Sequence, residues 1–122
     1  MVERLKKRRD FLAAAKGDKT ARRAFVLETL RREDAGPPRF GFTVSKRTAK
    51  KAVERNRIRR RLKEAIRLAE DQARPGHDYV VVGRQAALKE PFAALRSSLS
   101  EALRQTTLDP SSAKQGGRKA RR

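Results

Sequence analysis

Between Ser45 and Arg67 the chain reads SKRTAKKAVERNRIRRRLKEAIR, with eleven Lys and Arg side chains against two acids, Glu54 and Glu64. The chemistry open to such a set is phosphate recognition, because the planar guanidinium fork donates two parallel hydrogen bonds to one phosphate. Arg55, Arg57, Arg59, Arg60 and Arg61 fall within seven positions. Like charges one helical turn apart repel by roughly 0.2–0.5 kcal/mol per pair, and a polyanionic partner removes that repulsion. A solvated charged face interleaves both signs. This one does not. Asn56 reads two ways: as a tolerated surface amide in a helix, or as a group that hydrogen-bonds nucleic acid or orients a neighbouring Arg.

Bond breaking finds less support. A polypeptide that cleaves a phosphodiester uses metal ions held by clustered carboxylates, or an acid–base pair such as two histidines. Here there is one His, His77, and fourteen acids, of which Glu33-Asp34 and Glu70-Asp71 are isolated pairs without partners at ligand spacing. His77, within Pro-Gly-His-Asp, reads as a surface turn residue and Asp78 as a turn acceptor. The absence of cysteine leaves no disulfide frame, zinc ribbon or thiol nucleophile. The expectation is a polypeptide without a self-sufficient active site, with no catalytic residue and no metal ligand.

A formal charge of +19 on 122 residues says little about fold and much about partners, since such a field draws nucleic acid or an anionic membrane. A membrane surface fits poorly: the basic helix uses Ile58, Leu62 and Ile66 sparingly and has no aromatic for an interface. No apolar run approaches the ~18 residues of a spanning helix, and the N-terminus lacks the apolar centre of a signal peptide. A cytoplasmic protein with neither a membrane partner nor a small-molecule substrate is expected.

These side chains need positioning. From Ala52 onward, Ile58, Leu62, Ala65, Ile66 and Ala69 recur at steps of three and four, which predicts a helix docked by one stripe and fading near Ala73. Before it, residues 39–45 alternate: Phe40, Phe42 and Val44 are expected to face the core, and Arg39, Gly41, Thr43 and Ser45 the other side, open to a ligand. Gly41 mid-strand fits a close approach or a bulge. Residues 24–30 read as a further strand, RREDAGPP as a turn, and residues 79–83 as a central strand covered on both faces. Residues 3–16 read as a short helix. In it Phe11 is either a core anchor or an aromatic at a cleft edge that stacks on an unpaired base. Pro91 is expected to open a last helix, with Phe92, Leu95, Leu99, Ala102 and Leu103 on its buried face. The fold class is α+β: a single-domain α/β sandwich with a small central sheet, in the order α-β-β-(β)-α-β-α. The domain is expected over residues 1–106 and a disordered basic tail over 107–122.

Gly41-Phe42-Thr43-Val44-Ser45-Lys46-Arg47, followed by Ala52-Val53-Glu54-Arg55-Asn56-Arg57-Ile58-Arg59-Arg60, resembles the signature of the bacterial ribonuclease P protein subunit. The likeness runs from about Arg4-Leu5-Lys6 through Asp10-Phe11 to about Leu103. The resemblance implies a left-handed βαβ crossover in place of the usual right-handed one. It also implies a ribonucleoprotein endoribonuclease whose RNA subunit is the catalyst and uses Mg²⁺. The partners would be that catalytic RNA and the 5′ leader of precursor tRNA, and the outcome tRNA 5′ maturation. Carried over by residue, Arg55, Asn56, Arg57, Arg59, Arg60 and Lys63 match the family's RNA-contacting helix, and Ser45, Lys46 and Arg47 the strand end beside it. Phe11 matches an aromatic of the leader cleft. Ala15 and Glu28 stand where the family often has further aromatics, which shifts leader recognition towards charge and backbone contact.

Two other classes compete on composition alone. A ribosomal or RNA-chaperone protein fits the charge and size equally well, whereas a nucleoid DNA-binding protein would show helix-turn-helix spacing or heptads. The Arg-Asn-Arg helix placed between two strands favours the ribonuclease subunit.

Overall fold

The structure is a computed structural model and describes residues 3–108. Its elements are β1 (Glu3–Arg4), α1 (Arg8–Ala15), β2 (Asp18–Ala21), β3 (Phe25–Arg31), β4 (Arg39–Thr43), α2 (Ala52–Ala69), β5 (His77–Gly83) and α3 (Phe92–Leu108), with 3-10 turns at Glu70–Gln72 and Gln85–Leu88. The sheet runs β1-β4-β5-β3-β2. β4 and β5 are parallel and joined by α2, as strand–helix–strand order predicts, while β3 pairs antiparallel with both β5 and β2. The result is the expected α+β sandwich.

Sheet alternation divides the core in two. On one face Phe25, Leu27, Phe40, Val44, Tyr79 and Val81 meet Ile58, Leu62, Ala65, Ile66 and Ala69 of α2 and Leu95, Leu99, Ala102 and Leu103 of α3. On the other, Leu5, Ala14 and Val80 form a smaller cluster with Phe11, Leu30 and Val82 packed on it. Two glycines set the close contacts. A Cβ on Gly83 would lie 2.7 Å from Ile58 Cγ2, so this position lets α2 sit tight on the sheet. A Cβ on Gly41 would lie 2.6 Å from Cε1 and Cζ of Phe11. The group that closes on Gly41 is thus the protein's own aromatic ring.

Several sequence expectations need correction. Residues 3–16 are not one helix, because the Glu3 and Leu5 amides donate to the carbonyls of Pro38 and Phe40 and β1 pairs with β4. The helix begins only at Arg8, after the crowded cations Lys6 and Lys7. Residues 18–21 form an edge strand, β2, which pairs antiparallel with β3. Pro91 precedes α3 rather than opening it, and its carbonyl accepts from the Leu95 amide at 3.0 Å. α3 continues to Leu108, past residue 106; the tail expected beyond it lies almost wholly outside the described residues.

Asp78 departs furthest from expectation. It lies inside β5 at 2% exposure and accepts from Arg32 Nη1, Arg39 Nε and Arg39 Nη2, each at 2.7 Å. Burial opposes its ionisation, but the hydrogen bonds and charges of Arg39 and Arg32 outweigh that, and its pKa falls below the ordinary carboxylate value. Arg39 also approaches Asp10 of α1 at 3.8 Å, and Arg32 binds Asp34. This end of the sheet is clasped by charge. His77 is likewise in β5 rather than a turn, its ring stacked at 6.0 Å on Tyr79.

Candidate nucleic-acid interface

α2 presents the cations. Its buried stripe of Ile58, Leu62, Ala65, Ile66 and Ala69 fixes the rotation of the helix, which leaves Asn56, Arg57 and Arg60 exposed and Arg55, Arg59, Arg61 and Lys63 partly covered. The arginines then divide by what they touch. Arg55 Nη1 donates to the Ala49 and Lys50 carbonyls at 2.9 and 2.7 Å, which ties the loop before α2 to the helix. Arg61 donates to the carbonyls of Ala87, Leu88 and Glu90, stapling the turn before α3. Arg59 Nη1 donates to Asn56 Oδ1 at 2.9 Å, so Asn56 does orient a neighbouring Arg. The guanidinium groups of Arg57 and Arg60 have no hydrogen-bond or ion-pair partner among the described residues.

Beside the helix, the Ser45 hydroxyl accepts from the Thr48 amide at 3.2 Å and shapes the loop, leaving Lys46 and Arg47 exposed. Val53, Asn56, Arg59, Arg60 and Lys63 line a surface groove of about 510 Å³. Val53 is 69% exposed and belongs to no core. The Lys63 ammonium lies 6.0 Å from the centre of the Phe42 ring. Burial first, and then the nearby cations Arg4 and Arg59, hold its pKa below the usual lysine value.

A second groove, of about 540 Å³, opens between α1 and the sheet. Lys6, Arg8, Phe11, Leu12, Ala15, Glu28, Phe42, Thr43, Val80 and Val82 line it. The structure thereby brings Glu28 of β3 beside Phe11 and Ala15 of α1. Phe11 is half-buried over Gly41, anchor and groove wall at once. Glu28 is bound by Lys19 at 3.0 Å. Phe42, expected in the core, packs on its margin and also lines this groove. Its double placement, and that of Arg4 near Lys63, escaped sequence reasoning; the basic run Arg4 to Arg9 was the available signal.

Among the described residues no group of three or more His, Cys, Asp or Glu side chains is arranged to hold a metal ion. Asp34, Asp78, Glu28 and Glu64 are instead taken up by arginine or lysine partners. Among the same residues no helix is long and apolar enough to cross a membrane.

This geometry is that of a small basic α+β domain with a one-sided cationic helix. The family model described as ribonuclease P matches residues 2–107. The ribonuclease P protein component of Gluconacetobacter diazotrophicus is 45% identical over 105 residues, covering 84% of this chain and 90% of the relative. The RNase P protein of Staphylococcus aureus matches with a TM-score of 0.70 at 31% identity, over 84% of this chain and 94% of that one. That of Thermotoga maritima matches with a TM-score of 0.71 at 28% identity, over 84% and 96%. The chain belongs to the ribonuclease P protein family, and so to the protein side of a ribonuclease that processes tRNA together with an RNA subunit.

Proposed function

We propose that the protein binds the catalytic RNA through α2 and the loop before it, and the 5′ leader of precursor tRNA through the groove beneath α1. The observation that carries this is the one-sidedness of α2, in which a buried stripe holds Arg57 and Arg60 outward with unpaired guanidinium groups. Arg59, with Asn56 behind it, Lys63, Lys46 and Arg47 extend that surface. Arg55 and Ser45 hold the loop in shape and keep their remaining polar atoms for RNA.

Each phosphate neutralised by this surface adds affinity that falls with salt. A cationic body between two polyanions lowers their mutual repulsion, so leader and catalytic RNA can lie together. Phe11 supplies the groove with an apolar wall for a base, and Lys6 and Arg8 supply charge for the backbone. Mg²⁺ and the bond-breaking step belong to the RNA, and the products are 5′-phosphomonoester ends. The setting is the cytoplasm. The folded unit extends through α3 to Leu108.

The test is cleavage of a precursor tRNA by the cognate catalytic RNA at low Mg²⁺, with and without the protein. Stimulation is expected, and a longer leader should bind the complex more tightly. A rate indifferent to the protein would overturn the reading.

A further inference from the structure

A further cavity, of about 380 Å³, lies between α2 and the first turn of α3. Arg57, Arg60, Arg61, Glu64 and Phe92 line it. The α2 members stand three or four positions apart, so they form one stripe beside the buried one. Arg60 also lines the groove shared with Val53, Asn56, Arg59 and Lys63, so α2 borders two adjoining furrows. Of the two, this one alone has an aromatic ring. Phe92 is the first residue of α3, and it packs on the main core while leaving part of its surface uncovered. The side chains around it are already placed. Arg61 is pinned to the carbonyls of Ala87, Leu88 and Glu90 just before α3 and forms a wall. Glu64, which would repel a phosphate, is bound by Arg67. Arg57 and Arg60 are exposed, and their guanidinium groups have no partner among the described residues.

A phosphate backbone alone needs no ring, and an apolar side chain needs no arginines. An unpaired nucleotide needs both, a face for its base and cations for the phosphates on either side. From this arrangement we infer that the cleft between α2 and α3 receives one unpaired base of the catalytic RNA, stacked on Phe92, with Arg57 and Arg60 on the flanking phosphates. This rests on the assignment of α2 to the catalytic RNA and adds what that RNA presents there, a nucleotide outside any double helix. The ring also gives the contact a register. Phosphate contacts alone let a protein slide along its nucleic acid, whereas a base held in a cleft fixes one position.

The chain has no tryptophan, so Phe92→Trp places a lone indole in the cleft. Its emission should be quenched as the cognate catalytic RNA binds, and a fully paired RNA duplex should leave it bright. Phe92→Leu keeps an apolar contact with the core and gives up the stacking face. It should weaken binding of the catalytic RNA by about 5- to 150-fold, the range for one base on one ring, with the salt slope kept. Phe92→Tyr should retain native affinity. A ring that serves packing alone would show in denaturant unfolding and leave RNA affinity untouched. Native affinity in Phe92→Leu, or emission indifferent to bound catalytic RNA or equally quenched by the duplex, would overturn the inference. Stimulation of the catalytic RNA by the native chain reports separately on the subunit role, which survives if the cleft alone fails.

Discussion

Arginines of one helix do different work here, and the difference is measurable. Arg57→Ala and Arg60→Ala remove unpaired outward cations, so each should weaken binding to the catalytic RNA and flatten its salt slope by roughly 0.7–0.9 without lowering stability. Arg61→Ala should do the reverse. It frees three carbonyls before α3 and should cost about 1–3 kcal/mol in denaturant unfolding, with the salt slope kept. Asp78 offers a pH test. Its folded pKa lies below the ordinary 3.8, so its stabilising effect is complete above that value and is lost as pH falls through the folded pKa. Asp78→Asn should cost about 3 kcal/mol near neutrality, the low end for breaking a buried pair because Arg39 keeps some solvent, and should remove that acid-side loss. An unchanged acid limb in the variant would contradict the assignment.

Among the elements, α2 and the central strands were legible because they obey one period over many residues: 58, 62, 65, 66 and 69 in the helix, and the apolar run 79–82 in β5. β1 and β2 were not. They have two and four residues, too few for a pattern, and exist because β4 and β3 offer them an edge. The site was legible in composition but not in division of labour. Nothing local says that Arg61 finds carbonyls 26 to 29 residues on, or that Asp78 meets two arginines inside a sheet. Gly41 shows the same limit: its smallness was visible, and Phe11 as its neighbour was not. Gly41→Ala should push the Phe11 ring towards the groove, costing about 1–3 kcal/mol as an overpacked contact does. It should also weaken binding of a uridine tetranucleotide to the groove more than Arg57→Ala does. Wild-type stability and groove affinity together would refute that packing.

For the molecule as a whole, +19 on 122 residues means that folding works against self-repulsion. Added salt, with a screening length of ~10 Å at 0.1 M, should therefore raise the melting temperature of the free protein while lowering its affinity for RNA. Thermal scans and binding isotherms across one salt series check both signs. α2 runs antiparallel to β4 and β5, so its N-terminus with Lys46, Arg47, Lys50 and Lys51 lies at one pole. Glu70, Asp71, Asp78 and the Glu33-Asp34 loop lie at the other. Arg31, Arg32, Arg39 and Arg74 stand among those acids and offset them, so the net positive charge is concentrated at the first pole, to which the amides at the α2 N-terminus add. Such a body feels a torque in the field of a nucleic acid before any atoms touch. It would arrive already turned, and a larger share of its collisions would be productive than random tumbling permits.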